Sequence, residues 1–425
     1  MQLGKFSIGI GDRFGLEGAA QLRALQQASD RGVAVTPVWN KSNREHTIIG
    51  TRPGDVRAEA QAAVRACSWS GPFHVDADHI GLASVDGFLE ASDFFTIDVA
   101  DWIGKPPDEA SVNGFIEAMG PFLGNLTVPG MPAPVAVDRT ALAAIARRYL
   151  TAVKEAGRVY RHILERKGPG GFITEVSFDE AGTPQTPAEL FFILAAIARE
   201  GVPVQTIAPK FTGAFLKGVD YVGDVHHFAA EFRDDLAVVA AAPALFGLPP
   251  DLKLSIHTGS DKFSLYPVMH RLIREFDAGV HLKTAGTTWL EELIGLAAAG
   301  GEALALVKEI YNAAVRRFDE LCAPYRTVID IDTGCLPSAS EVRTWASGQM
   351  TGALRHDPAS PAYNRHFRQL LHVSFRVAAE MGGRFREMLT AHRAVIERNV
   401  TANIFDRHLG PLFLGPGSSS GRKGD

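Results

Sequence analysis

Residues 72–82, PFHVDADHIGL, begin as a short apolar run and end on an acid beside a histidine, Asp78 and His79. Seven other short apolar runs recur along the chain, and longer stretches with helical periodicity separate most of them. This alternation is typical of parallel strands joined by crossovers. The eight runs lie at residues 5–11, 34–40, 72–78, 94–100, 172–178, 203–209, 253–259 and 281–287. They predict an α/β fold, a (β/α)8 TIM barrel, whose usual length is about 250 residues.

The remaining segments predict how the chain is organised around the barrel. Residues 104–134 are rich in proline and glycine and are too long for a simple loop. We therefore expect an insertion after strand four, at about 102–138, that passes over the barrel mouth as a lid. The barrel domain is expected at 1–290, a mostly helical extension packed on it at 291–414, and a disordered tail at 415–425.

Composition limits the partners and the compartment. The 425 residues include 46% hydrophobic and 21% charged side chains and carry a net charge of −5, with no basic face for nucleic acid. No apolar run reaches the roughly 20 residues of a membrane span. The three cysteines form no CxxC pair, and the N-terminus lacks a signal-peptide pattern, so we expect a cytoplasmic protein. The expected partner is a small molecule, and a homo-oligomer stays open.

Polar residues follow most of the predicted strands. Active sites of TIM barrels lie at the carboxyl ends of the strands, so these residues predict one shared cavity. Asp98 and Asp101 could assist this site, but the interpretation favoured here is that they cap the turn or helix that follows them. The polar residues at the strand ends include Asp12, Arg13, Asn40, Lys41, Arg44, Asp76, Asp78, His79, Glu175, Lys210, His257, Ser260, Lys262 and Lys283.

Three histidines lie at or after predicted strand ends: His79, His226 and His257. Taken alone, each is more often an ordinary loop or core residue. Three imidazoles from three loops would leave a coordination position open, as in catalytic zinc sites. Their shared position on a barrel favours this hypothesis, with His227 as an alternative to His226.

The segments HVDADHIGL (74–82), GDVHHF (223–228) and LSIHTGS (254–260) resemble, in the same order, the site of class II metal-dependent aldolases. The resemblance implies Asp78 as the acid/base and His79, His226 and His257 as metal ligands. It also implies Glu175 as a second catalytic carboxylate. The implied metal is zinc, with manganese, nickel or cobalt as alternatives. The aldolases' phosphate-binding loops are not matched by TGSDKF (258–263) and TAGTTW (284–289), so a phosphorylated substrate is not implied.

Longer polar strings are similar to the tagaturonate epimerase family over nearly the whole chain. They include SIGIGDRFG (7–15), TPVWNKSNREHTIIGTRPGDVRAEA (36–60), DFFTIDVADWIG (93–104) and LLHVSFRVAAEMGGRF (370–385). This resemblance implies a metal-dependent enzyme that interconverts D-tagaturonate and D-fructuronate, which differ at one hydroxyl-bearing carbon.

The chemistry of that inversion favours an aldolase-like site. Carbon C4, in ketose numbering, lies two bonds from the C2 carbonyl, so its hydrogen is not acidic. No GxGxxG joins a strand to a helix, which argues against transient oxidation by a nicotinamide. Retro-aldol cleavage of C3–C4 followed by re-addition remains. A metal would act as the Lewis acid, with Asp78 as proton carrier and Glu175 as second candidate.

The carboxylate of a sugar acid needs cationic partners. The candidates are Lys41, Arg44, Lys210, Lys262 and Arg13. Two other functions stay open at this point. One is a class II aldolase that acts on a keto sugar or sugar acid and releases its products, and the other is a non-catalytic barrel subunit of an aldolase complex.

Overall fold

The computed structural model describes residues 1–284 and 287–415, and its centre is a closed barrel of parallel strands. The barrel strands are β1 (Phe6–Ile10), β2 (Val35–Ser42), β3 (His74–Ile80), β4 (Phe94–Asp98), β7 (Ile173–Ser177), β8 (Thr206–Ala208), β9 (Lys253–His257) and β10 (Val280–Lys283). They close in the order β1-β10-β9-β8-β7-β4-β3-β2. Each predicted run overlaps one of these strands, which confirms the TIM barrel. Residues 285 and 286 of the predicted TAGTTW loop lie outside the described residues.

Helices surround the barrel and continue beyond it. Those that follow barrel strands are α1 (Gly18–Ser29), α2 (Asn43–Ile49), α3 (Pro53–Ala66), α4 (Glu109–Ala118), α5 (Arg139–Lys167), α6 (Pro187–Arg199), α7 (Val225–Phe246), α8 (Tyr266–Glu275) and α9 (Thr287–Ala299). Later helices are α10 (Gly301–Arg316), α11 (Phe318–Cys322), α12 (Ala339–Thr344), α13 (Ser347–Leu354), α14 (Arg365–Val373), α15 (Phe375–Glu380), α16 (Gly383–Ala391), α17 (Arg393–Ala402) and a π-helix at Asn403–Leu414. No helix within the described ranges is both long and apolar enough to cross a membrane.

The segment between β4 and α5 contains α4 and a two-stranded antiparallel hairpin, β5 (Gly124–Leu126) with β6 (Val135–Val137). Phe122 packs its ring 5.1 Å from Phe191 and 5.8 Å from Phe246, on the outer helices α6 and α7. None of the described residues in this segment lines the cavity at the barrel mouth. The expectation of a lid is therefore wrong, because the segment packs on the outer helices, with Phe122 half-buried against α6 and α7.

The late helices pack on α9 and α1, and their connections reach the mouth of the barrel. The Lys217 amide donates a hydrogen bond of 2.8 Å to the Val328 carbonyl, so the loop before α12 lies over the carboxyl ends of the strands. Pro324, Tyr325, Thr327 and Val328 line the mouth cavity. The expected disordered tail falls almost entirely on residues 416–425, outside the described residues.

Alternation along β3 explains why its sequence reads apolar and acidic by turns. Val75 and Ala77 belong to the hydrophobic core around the barrel. Asp76 and Asp78 point the other way, into the barrel, where both approach Lys283 of β10. Successive side chains of a strand face opposite sides. The polar face of β3 thus lines the inside of the barrel near its mouth.

Candidate active site

The mouth of the barrel holds a cavity of about 840 Å³. It opens where parallel strands present their carboxyl ends, the usual place of an active site in this fold. Its charged lining residues are Arg13, Arg44, Glu45, Asp78, Asp98, Asp179, Glu180, Lys210, Lys217 and Lys283, together with His79 and His257.

His79 enters this cavity through an unusual backbone conformation. Its φ of +51° is left-handed, and the pairing of β3 with β4 shifts register between Ala77 and Ile80. Nδ1 of His79 lies 3.0 Å from Oδ2 of Asp98, while Oδ1 of Asp98 accepts the Ala100 amide. Asp98 therefore caps the turn, as expected, and also orients the imidazole. With Nδ1 engaged, Nε2 is the nitrogen available to a ligand.

His257, at the end of β9, is held on both sides by carboxylates. Its Nε2 lies 2.8 Å from Oε1 of Glu175, and its Nδ1 lies 3.0 Å from Oδ2 of Asp179. Burial lowers the pKa of His257, but Asp179 and Glu175 outweigh it and raise the pKa to about 9. Burial also lowers the pKa of His79, but the charges of Asp78 and Asp179 outweigh it and raise the pKa to about 10. Both imidazoles thus lie in a field that favours positive charge.

His79, Asp179 and His257 form a group that could hold a metal ion. One ligand atom from each lies within 4.8 Å of the others. Nδ1 of His257 is buried and lies 3.0 Å from Asp179, but it forms no hydrogen bond among the described residues. Two imidazoles and one carboxylate are a common donor set of catalytic metal sites that keep a position open. The residues present therefore fit a divalent metal ion.

Glu175 lies below this group and outside the cavity lining. Its side chain is fully buried and accepts hydrogen bonds from His257 and from the Thr206 hydroxyl, at 2.8 and 2.7 Å. A carboxylate behind a ligating histidine fixes the orientation of its ring. Its surroundings favour a role in orienting His257 over direct contact with substrate.

Asp78 lines the cavity and pairs with Lys283. Nζ of Lys283 lies 2.8 Å from Asp78, 2.7 Å from Asp76 and 3.2 Å from Glu175. Burial raises the pKa of Asp78, but Lys283 and His79 outweigh it, and the pKa is about 2. Gly9 of β1 makes room for Lys283, since a Cβ there would lie 2.9 Å from its Cγ. Asp78 is therefore ionised at neutral pH.

The predicted carboxylate-binding cations divide into two groups. Arg13, Arg44 and Lys210 line the cavity, although Nζ of Lys210 donates to the Ala181 carbonyl. Lys41 and Lys262 do not line it. Nζ of Lys41 donates to the Arg13 carbonyl at 3.1 Å. Nζ of Lys262 donates to the carbonyls of Leu216 and Val219, so both lysines hold loops in place.

The predicted third histidine ligand is not brought to this cavity. His226 and His227 are exposed in the first turn of α7, where their amides are capped by Asp224. Neither residue lines the cavity, and neither belongs to a candidate metal group of the described residues. Asp179, two residues beyond the end of β7, occupies the position beside His79 and His257 instead.

Sequence reasoning missed Asp179 and Lys217 and gave Lys283 no role. Asp179 follows a strand end as closely as His79 does, so the rule used for the other strands would have found it. Lys217 lies in the long connection after β8, and no local pattern distinguishes it.

The mouth of this barrel brings together two histidines, an aspartate and several cations. Such a cavity is typical of a (β/α)8 enzyme that acts on a small polar molecule. Residues 1–390 match the tagaturonate epimerase family, so the chain belongs to that family, as the polar strings indicated. It is accordingly an isomerase, an epimerase acting on carbohydrates.

Individual relatives agree with this assignment. The tagaturonate/fructuronate epimerase of Thermotoga maritima is 29% identical over 383 residues, which cover 87% of this chain and 72% of that protein. The native crystal structure of the fructuronate-tagaturonate epimerase of Cohnella laeviribosi is similar with a TM-score of 0.76 at 25% identity, covering 96% of this chain and 81% of that chain. A glycerol complex of the same enzyme has a TM-score of 0.79 at 24% identity, with the same coverage, and supports the fold.

Proposed function

We propose that this chain interconverts D-tagaturonate and D-fructuronate by retro-aldol cleavage and re-addition at the C3–C4 bond. Membership of the tagaturonate epimerase family supports the substrate pair. The observation that carries the mechanism is the grouping of His79, Asp179 and His257 beside ionised Asp78.

His79, Asp179 and His257 would hold a divalent metal, with zinc as the first candidate and manganese, nickel or cobalt as alternatives. When bound, such a metal supplies a Lewis acid for the negative charge that develops as C3–C4 breaks. Asp98 orients His79 and Glu175 orients His257 through hydrogen bonds of 3.0 and 2.8 Å. The two carboxylates are thus positioning residues in this proposal, and Glu175 does not carry the proton itself.

Asp78 would take the proton of the C4 hydroxyl. The electron pair of the C3–C4 bond then remains on the three-carbon dihydroxyacetone fragment, which becomes an enediolate. C4 becomes the aldehyde carbon of tartronate semialdehyde. Re-addition to the opposite face of that aldehyde returns the proton and inverts C4, so no oxidant is required. Asp76, which shares Lys283 with Asp78, has a pKa that burial raises to about 7. Asp76 does not line the cavity, so Asp78 is the member of the pair that would meet the substrate.

The compartment is part of the same proposal. Cys67, Cys322 and Cys335 are free thiols. Free thiols are typical of a reducing compartment, and we place the reaction in the cytoplasm on that ground.

A proton NMR time course with D-tagaturonate tests the proposal on metal-stripped and metal-reconstituted protein. We expect fructuronate to form only with metal, without deuterium from solvent at C4. His79→Ala and Asp179→Ala should abolish turnover, whereas His226→Ala should retain it. Turnover that survives Asp179→Ala but not His226→Ala would show that His226, and not Asp179, is the third metal ligand. Net release of three-carbon products would instead define an aldolase.

A further inference from the structure

One end of the cavity carries a cluster of cations that the metal group does not use. Arg13, Arg44 and Lys217 all line the cavity. Lys217 follows neither a strand end nor a recognisable motif. Its ammonium lies near Gly259, where an added Cβ would be 3.0 Å from Nζ. Gly259 comes two residues after His257, so the cluster and the metal group belong to one cavity.

Most donors of this cluster have no hydrogen-bond partner among the described residues. Nζ of Lys217 has no hydrogen bond or ion pair among the described residues, and neither does the guanidinium of Arg44, which stacks 5.1 Å from the Tyr325 ring centre. Arg13 is 8% exposed and pairs through Nε with Glu45 at 3.1 Å, yet its buried Nη1 is without a partner in the described part of the chain. A buried donor left unpaired, as Nη1 of Arg13 is among the described residues, costs free energy and so favours an acceptor that arrives from outside.

The electrostatics agree with this geometry. Burial, followed by the neighbouring charges of Arg44 and Arg13, lowers the pKa of Lys217. Like charges held together repel one another unless an anion lies between them. A carboxylate offers two oxygens to such a cluster, and arginine can bind it through two parallel hydrogen bonds.

We propose that Lys217, with Arg13 and Arg44, binds the substrate carboxylate and retains the three-carbon acid fragment during the reaction. This inference rests on the retro-aldol route proposed above. Rotation of the fragment by half a turn about C4–C5 exchanges the C4 oxygen and hydrogen and presents the opposite face of the aldehyde. The carboxylate C6 stays in place during this rotation. An anchor at C6 therefore allows inversion and prevents loss of the fragment.

The late helical region contributes to this anchor. Tyr325 stacks on Arg44, Phe375 stacks 4.3 Å from the Arg13 guanidinium, and Val328 holds the backbone of Lys217. Aromatic faces stabilise and orient guanidinium groups. The region after the barrel thus positions the cations that would select an acid over a neutral sugar.

The test compares Lys217→Met with Lys105→Met in the metal-loaded enzyme. Lys105 is exposed and stacks on Trp102 in the segment that does not line the cavity. Epimerisation is followed by NMR, and free tartronate semialdehyde by a coupled reductase that consumes NADH. We expect Lys217→Met to lower kcat/KM for tagaturonate by about tenfold or more, as for loss of a charge-assisted hydrogen bond, and to release the aldehyde acid. Lys217→Arg should recover part of the activity, and Lys105→Met should behave as wild type.

Exposed Arg44 provides a second variant, Arg44→Met, should Lys217→Met fail to fold. Values of kcat/KM within about twofold of wild type in these variants, without release of the acid, would overturn the inference. A wild-type enzyme that does not epimerise would instead overturn the proposed function. The anchor is then decided by calorimetric titration with tagaturonate: weaker binding by Lys217→Met supports it, and equal binding refutes it.

Discussion

His79 combines a candidate metal-ligand atom with a left-handed backbone. A left-handed conformation costs a residue with a Cβ about 1 kcal/mol or more. Asp98 holds the imidazole ring of His79 through Nδ1, and the irregular pairing of β3 with β4 accommodates the backbone. Strain of this kind is stored where a side chain must be directed to a site, here the cavity at the barrel mouth.

A comparison of His79→Gly with His79→Ala isolates that strain. Both variants remove the imidazole, but glycine adopts a φ of +51° without a steric penalty. We expect metal-free His79→Gly to be more stable than His79→Ala by about 1 kcal/mol, with both inactive. Urea denaturation measures the difference. Equal stabilities would show that the backbone at residue 79 carries no strain.

Glu175→Gln tests the role of the carboxylate behind His257. The substitution preserves size but removes the charged acceptor 2.8 Å from Nε2. Loss of such a partner lowers metal affinity by about 10- to 100-fold. Competition with a chelator gives the dissociation constant, and Asp86→Asn, at an exposed carboxylate paired with His162, is the control. An unchanged affinity would argue against the positioning role.

At the scale of elements, one carboxylate joins the loop after β9 to the late helices. Asp261 is fully buried, 2.7 Å from Nη2 of Arg368, 3.0 Å from His356 and 3.2 Å from His408. It also accepts from the Thr287 hydroxyl at 2.9 Å. These partners come from α9, α14, the π-helix and the loop that contains His356, so their packing depends on a single charge.

Asp261→Ala should lower the free energy of unfolding by about 3–5 kcal/mol, because it leaves Arg368 buried and unpaired. Burial opposes ionisation, but Arg368 and the two histidines hold the pKa of Asp261 well below its usual range. Its contribution is therefore complete above the unfolded value of about 3.9 and is lost as pH falls toward the folded value. Denaturation at pH 7 and in acid should show a smaller pH dependence in Asp261→Ala than in exposed Asp30→Ala. Identical profiles would contradict this.

At the scale of the whole molecule, metal binding should stabilise the fold. A ligand that binds only the native state adds about 2.7 kcal/mol at one hundred times its dissociation constant. We expect Zn²⁺ to raise the Tm of the metal-stripped wild type and of His226→Ala by similar amounts. Asp179→Ala should show a much smaller rise, and a full rise in that variant would exclude Asp179 as a ligand. Differential scanning calorimetry makes the comparison.

The sequence alone determined the barrel, its eight strands and the family. These depend on local information: alternation of short apolar runs with helical periodicity, and polar strings shared with a family over most of the chain. It also placed Asp78, His79 and His257 at strand ends. Residues at the carboxyl end of a strand lie at the mouth of a barrel, so their positions follow from the strand alone.

Only the tertiary structure decided which other residues join them. His226 comes after the long connection from Ala208 and lies exposed in α7, whereas Asp179 lies two residues after β7 and reaches His257. Lys217 and Tyr325 meet at the cavity because a loop of the late helical region hydrogen-bonds to the connection after β8. The course of a long loop depends on packing between segments distant in sequence. No local pattern records such contacts, so the folded chain alone determines them.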